Sequence, residues 1–453
     1  MAGLTPSSIL IVGSGVFGVS TAHALAHSKK HSNTRIILLD RLPFPAHDGS
    51  SVDSSRIIRA DYADQCYAAL MDSAHPAWRN EYAKAGIYHE MGLALLLGEA
   101  PAEVGRKFME ESLSNVRGLG LKLGPREDGG QVEVMKSEED VRRVMGTMGG
   151  VAAESGYVNW TSGWADAELG LRFMRQEAEK TGRIEFKTGE VRKLVFADNG
   201  SKVTGVQLAD GQVVEADLTL LATGAWTPKL LDLRGIASAS GQVLSYIAIT
   251  PQEQERLSKN PVVLRDDGMF IIPPTRNELK IARHGYGYAN PQTISNPELE
   301  AGASEQTITV SLPRTKHDDP KLDIPQEGID ACRGFLAKAI PDLADRPFTH
   351  TKICWYTDTP TADWLIDYHP KYKGLFVATG GSGHGYKFLP IIGERILDVI
   401  SRQSRDELGE ELMKKWKWPE QRHREDHIWT DDWRGGKKGM VLAEELRRGK
   451  NKL

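Results

Sequence analysis

Three features of the 453-residue sequence predict a two-domain α/β protein. The first is a buried strand, residues 9–12 (ILIV), that passes through a glycine turn into a helix near 19–26 and returns as a second buried strand, 36–39 (IILL). The second is the reappearance far downstream of two more buried strands, 218–222 and 375–378, each opening into a turn of small residues. The third is the stretch 240–350, where apolar and polar residues alternate, as in 244–249 and 269–272. Continuous apolar strands joined through helices belong to a parallel sheet covered on both faces, and alternation belongs to an antiparallel sheet. A chain this long also outgrows a single core.

The dinucleotide-type domain is therefore expected to be discontinuous, built from 1–75, 155–235 and 352–410. Residues 76–154 and 236–351 should fold together as a second, substrate-facing domain of mainly antiparallel sheet. The charged, Trp-containing tail, 411–453, reads as a surface wrap. Helices are expected over about 62–85, over 165–180 with a stop at Gly182, and over 389–400. Asn199-Gly200 and Asp210-Gly211 mark the turns of a β-meander.

Composition excludes several classes. With 57 Lys and Arg against 61 Asp and Glu, the net charge of -4 offers no footprint for a nucleic acid, and no basic stripe with interleaved aromatics occurs. Cys66, Cys332 and Cys354 are too few and too scattered for a disulfide framework or a thiolate metal site, so no metal is expected and the compartment reads as reducing. No apolar run is long enough to span a bilayer, and the glycines after Val12 argue against a secretory h-region. The final Asn451-Lys452-Leu453 resembles a weak form of the Ser-Lys-Leu peroxisomal address, which leaves a peroxisomal or a cytoplasmic location.

Gly13, Gly15 and Gly18 form G-x-G-x-x-G between strand and helix, with Val16 and Phe17 inside the motif. Such glycines allow a tight turn, close approach of a pyrophosphate, and close packing of helix on strand, with the phosphates at the helix N-terminus. Asp40, at the end of the second strand, can accept ribose hydroxyls and disfavours a 2′-phosphate. Arg41 follows it, and Ser55, Val191, Thr223, Gly224 and Trp226 are further candidates for the same pocket. The motif alone does not separate FAD from NAD.

Three further stretches carry a closer signal: Ser55-Arg56-Ile57-Ile58-Arg59, Lys280-Ile281-Ala282-Arg283-His284, and KICWYTDTPTADWLIDYHP from Lys352, continuing to ATGGSGHGYKF. Together with the turn TGAW at 223–226, they resemble the monomeric sarcosine oxidase family, which includes pipecolate and saccharopine oxidases and the fructosyl amino acid oxidases. The resemblance runs from Ile9 to about Ile400 and leaves the last 50 or so residues uncovered. It implies an FAD-binding Rossmann-type domain of the glutathione reductase and D-amino acid oxidase kind. It also implies a monomer that takes a small carboxylate-bearing amine and molecular oxygen.

The resemblance assigns roles position by position. Cys354 falls where the flavin is attached covalently through sulfur. Lys280 falls beside the site of oxygen reduction, where a fixed positive charge stabilises superoxide as it forms. Arg59 and Lys387 match the cations that hold the substrate carboxylate, and Arg56 matches a second arginine near the flavin. His284 matches the active-site histidine of the sarcosine-type enzymes. The fructosyl enzymes carry an acidic residue there to hold the sugar, so His284 counts against a fructosyl substrate. Tyr356, two residues after Cys354 on a strand, is expected to line the substrate cavity. Gly380, Gly381, Gly383 and Gly385 are expected to lead into a helix whose N-terminus faces the flavin pyrimidine, with His384 structural.

The implied reaction is oxidation of a secondary amine to an imine, with oxygen reduced to hydrogen peroxide. A fructosyl amino acid oxidase, a flavin dehydrogenase that uses a carrier protein, and an NAD-binding redox module remain as alternatives. The sequence does not name the amine.

Overall fold

The computed structural model describes residues 5–99, 101–197, 200–424, 429–430 and 433–450. Two sheets carry the chain. The first has six strands in the order Leu365–Tyr368, Leu375–Thr379, Leu218–Leu221, Ser8–Val12, Arg35–Asp40, Ile184–Thr188. Its neighbours are parallel except for the edge pair formed by Leu365–Tyr368 and Leu375–Thr379. Ile9, Ile11, Ile36 and Leu38 turn to one side, against the helices Val16–His27, Ala167–Lys180 and Ile392–Ser401. Leu10, Val12, Ile37 and Leu39 turn to the other, against the three-stranded meander Val191–Phe196, Val203–Leu208, Val213–Glu215. Burial on both faces is why residues 9–12 and 36–39 are apolar at every position.

The second sheet has eight strands, ordered His350–Asp358, Ser238–Ala248, Glu278–Arg283, Met269–Thr275, Val262–Arg265, Leu93–Leu97, Ser155–Asn159, Val132–Met135. Only Leu93–Leu97 with Val262–Arg265 is a parallel pair. Helix Gln326–Ala339 covers one face, setting Phe335 and Leu336 against Val243, Ile247 and Ile281. Two segments assigned from sequence to the nucleotide domain pair into this sheet instead. Ser155–Asn159 is laddered to Leu93–Leu97, and His350–Asp358 to Ser238–Ala248. Short apolar runs carry no mark of which sheet will take their hydrogen bonds.

The helix expected over 62–85 is regular only from Gln65 to Ala77 and then widens to a π-helical stretch, Trp78–Tyr82. Pro76 sits inside it and has no N–H for the ladder. Its start is set by Asp64, whose side chain accepts from the N–H groups of Cys66 and Tyr67 at 2.8 and 3.2 Å. The glycine loop 380–385 also departs from expectation. It opens into a short 3-10 turn, Tyr386–Phe388, and the helix begins only at Ile392. Pro390 interrupts the hydrogen bonding between them. No helix dipole starts at the glycines themselves.

The tail is not a surface wrap. Trp416 is fully buried, stacks on Trp364 at 5.1 Å and donates its indole N–H to Tyr67 at 3.1 Å. Trp433 and Arg434 are buried as well. Gly435 and Val441 make bridges to Gly285 and Ala289. The closing helix, Leu442–Lys450, packs on Gln326–Ala339. Asn199 of one expected turn and the Asn451-Lys452-Leu453 tripeptide lie outside the described residues. No helix among the described residues is long and apolar enough to cross a membrane.

Gly18 shows how tightly the first strand, turn and helix are joined. A Cβ there would stand 1.8 Å from the Gly13 carbonyl oxygen. Gly18→Ala must therefore push the helix off the strand, at a cost of about 1–3 kcal/mol. The expected outcome is a lowered Tm in thermal unfolding. An unchanged Tm would show that the turn relaxes freely.

Candidate active site

The glycine turn forms one end of a cavity of about 220 Å³. Gly13 has φ +104°, and a Cβ on it would lie 2.4 Å from the Ala222 carbonyl oxygen. Ser51 Oγ accepts from the Val16 N–H at 3.0 Å, at the start of the helix. Asp40 Oδ2 takes both the N–H and the hydroxyl of Ser14 at 2.6 Å, which leaves Oδ1 for a ribose hydroxyl. Arg41 is held by Asp48 and lies 4.6 Å over the Trp226 ring. Gly15, Val16, Phe17, Val191, Thr223 and Gly224 line the same cavity. At its far end stand Arg56, Tyr356, Gly381, Gly383 and Gly385. Gly18 lies beneath the turn, not on the cavity wall. A long cleft with a glycine turn that any Cβ would fill and a carboxylate beyond it suits a dinucleotide such as FAD.

A second cavity, of about 200 Å³, adjoins the first. Arg56, Gly383, Tyr356 and Tyr386 line both. Cys354 and Tyr356 reach it from alternate positions of strand His350–Asp358. Lys280 and His284 reach it from strand Glu278–Arg283 and the residue after it. Gly383 is required where the cavities meet, because a Cβ on it would stand 2.4 Å from the Tyr356 ring.

The second cavity is cationic. Arg59 is 7% exposed, and its Nη1 is buried without a protein partner. Its guanidinium lies 4.9 Å over Tyr62 and 5.5 Å over Phe108. Lys387, 4% exposed, donates to Tyr62 Oη at 2.9 Å and to the His384 carbonyl at 3.0 Å. Burial, and then the charge of Arg59, hold the Lys387 pKa well below that of a free lysine. Among the described residues, no carboxylate lies within ion-pair distance of either. The acids that do line the cavity, Asp64 and Asp363, both pair with Lys415 at 2.9 and 3.2 Å. Burial and the charges of Arg434 and Arg59 push the His284 pKa well down, so its ring is neutral.

Lys280 is paired. Its ammonium donates to Asp53 at 2.7 Å and to the Ser55 carbonyl at 2.9 Å, which is how Ser55 enters the site. Burial lowers the Lys280 pKa to about 8, against the opposing pull of Asp53. Arg56 also pairs with Asp53 and reaches Cys354 Sγ at 3.7 Å. His384 has both ring nitrogens engaged, with Tyr62 Oη at 3.1 Å and the Ala362 carbonyl at 2.9 Å. No group of three or more His, Cys, Asp or Glu side chains among the described residues can hold a metal ion.

Sequence reasoning missed five residues that this geometry adds. Asp53 and Tyr62 flank the arginine pair, and Tyr246 stands opposite Lys280 in the strand register. An acid three residues before Arg56 was a visible signal for Asp53. Phe108 and Trp433 meet at 4.5 Å, and Trp433 lies 5.3 Å from His284, forming one wall of the cavity. They are 325 positions apart in sequence, and nothing local joins them.

Known proteins resemble this chain over most of its length. The FAD dependent oxidoreductase family model matches residues 8–399. The amino acid oxidase imqH of Aspergillus flavus is 32% identical, with 91% of this chain and 98% of that protein covered. L-saccharopine oxidase of Schizosaccharomyces pombe is 33% identical, with 91% and 93% covered. The crystal structure of the deglycating enzyme fructosamine oxidase (amadoriase II) from Aspergillus fumigatus aligns with a TM-score of 0.77 at 28% identity, over 96% of this chain and 95% of that one. With its dinucleotide cleft opening onto a cationic cavity, the chain belongs to the FAD-dependent oxidoreductase family, as an oxygen-using amino acid oxidase of the sarcosine oxidase-like group.

Proposed function

We propose that this protein oxidises a secondary amine carried by an amino acid, whose carboxylate is held by Arg59 and Lys387. The observation that carries the reading is the pair itself. Among the described residues, the two buried cations that face the second cavity have no carboxylate partner, and Arg59 Nη1 has no hydrogen-bond partner. A bound carboxylate would supply both, and would restore to Lys387 the charge that burial opposes. The neutral His284 is a poor anchor for a sugar, which favours a simple N-alkyl, N-methyl or cyclic amino acid over a fructosyl one.

The reaction balances as follows. A carbon bearing the amine and its nitrogen together lose two protons and two electrons to become an imine. Oxygen takes both to become hydrogen peroxide, and water hydrolyses the imine unless it cyclises. FAD supplies the redox chemistry when bound, accepting the electron pair and returning it to oxygen. The chain's residues do the rest. Arg59 and Lys387 orient the substrate, and the cationic surroundings favour the neutral, oxidisable amine. The aromatic wall of Phe108 and Trp433 keeps water from the reacting carbon. Lys280 stabilises negative charge as it develops on oxygen. Cys354 would hold the flavin through sulfur, an attachment that removes the thiol proton and one C–H hydrogen of the flavin and passes the two released electrons to oxygen.

Peroxide release over a panel of N-methyl, cyclic and N-alkyl amino acids tests the activity. A protein that reduces an artificial acceptor with these amines yet releases no peroxide would be a dehydrogenase. Arg59→Ala and Lys387→Ala should each raise KM about 10- to 100-fold, since each removes a charge-assisted bond worth roughly 1.5–3 kcal/mol. Unchanged kinetics on a carboxylate-bearing amine would sink that assignment.

Lys280→Met keeps bulk and deletes charge. Stopped-flow reoxidation by oxygen should slow by about 100-fold or more, while anaerobic reduction by the amine changes far less. Collapse of the reductive half-reaction instead would place Lys280 on the substrate.

Acid precipitation of the wild type should leave yellow flavin in the pellet, and of Cys354→Ser in the supernatant. Free flavin from the wild type would rule out the covalent bond.

A further inference from the structure

Lys280 does not stand alone at the boundary of the two cavities. Its ammonium and the Arg56 guanidinium share one carboxylate, that of Asp53, whose side chain is 2% exposed. The same carboxylate also accepts the Tyr246 hydroxyl at 2.7 Å and the Ser54 N–H at 2.7 Å. We propose that Asp53 is the positioning residue of this site, clamping Lys280 and Arg56 side by side and keeping Lys280 protonated in the dry boundary between the cavities. The proposal rests on the reading above that Lys280 serves oxygen.

The physical argument is one of charge. A buried lysine without a partner gives up its proton, because burial disfavours the charged form. Asp53 opposes that loss by direct contact. One carboxylate cannot cancel two cations, so the cluster keeps one net positive charge. The site thus holds an ammonium that stays charged and a local field that still favours an incoming anion. Asp53 itself is kept ionised, far below the usual carboxylate range, by Lys280, Arg56 and Lys352 working against its burial.

The groups that face Lys280 are few. Asp53 approaches from the segment before strand Arg56–Ile58, and Arg56 from the first position of that strand. Cys354 and Lys352 lie on strand His350–Asp358, and Tyr246 on strand Ser238–Ala248. Glu278 is on the lysine's own strand, and the Phe270 ring is 5.7 Å from Nζ. Of these acids, only Asp53 touches the ammonium.

The clamp is tested by the pH at which Lys280 loses its proton, measured in two ways on the full-length flavoprotein. In the first, lysines are labelled with 13C at Cε, and the Lys280 signal is assigned by its absence in Lys280→Met. The midpoint in the wild type should lie near pH 8. In Asp53→Asn it should fall by about one unit or more, a tenfold loss of the ammonium at a fixed pH above it. In the second, protein reduced by dithionite is mixed with oxygen, and the reoxidation rate should lose its fast phase at the same two midpoints. Asp53→Glu, which keeps the charge, should return both towards the wild type; a carboxylate needed only for folding would not move a titration midpoint.

An unshifted NMR midpoint in Asp53→Asn overturns the clamp. If Asp53→Asn does not fold, the decision passes to Asp53→Glu. A wild-type midpoint there supports the clamp, and a midpoint lowered as far as an unpaired lysine's overturns it. If Lys280→Met reoxidises at the wild-type rate, the oxygen reading fails, and the NMR midpoint alone decides the clamp.

Discussion

Everything at this site depends on one strand serving two cavities. His350–Asp358 is hydrogen-bonded along its length to Ser238–Ala248, which makes it the edge of the eight-stranded sheet. Ser382 donates its N–H to the Thr357 carbonyl at 2.9 Å, tying the glycine loop to that edge. The dinucleotide cleft and the second cavity therefore share a wall that neither can shift alone. Because alternate side chains of a strand share a face, Cys354 and Tyr356 arrive at the boundary together.

The wall is kept rigid by polar groups that have found partners. Asp358 accepts from Ser240 and, at 3.4 Å, from Arg434, while Arg434 also donates to the Ser382 carbonyl at 3.1 Å. A buried carboxylate and guanidinium are costly to desolvate and are retained where geometry repays the cost. Here they hold three segments distant in sequence: the sheet edge, the glycine loop and the tail. The tail is thereby drawn under the sheet, and Trp433 follows Arg434 into the cavity wall.

The charges of the second cavity follow a consistent plan. Its acids are already satisfied by Lys415, and Asp53 is committed to Lys280 and Arg56. Among the described residues, Lys387 has only neutral hydrogen-bond partners, and Arg59 lies against the Tyr62 and Phe108 faces. The cavity therefore presents positive charge beside the Tyr62 and Phe108 rings.

The sequence by itself determined the dinucleotide fold, because that fold is written locally. A strand, a glycine turn and a helix lie within about twenty residues, and the reasons for Gly13, Gly15 and Gly18 are short-range steric ones. Arg56, Arg59, Lys280, Cys354 and Lys387 each sit in a compact motif, and the structure brings them around one cavity. Only the tertiary structure could decide which sheet takes the strands Ser155–Asn159 and His350–Asp358, because sheet pairing satisfies the backbone at long range. It alone showed that the tail reaches the cavity and that Asp53 joins Lys280 across 227 positions. Charge pairing acts through space, and a single sequence records the partners without recording that they meet.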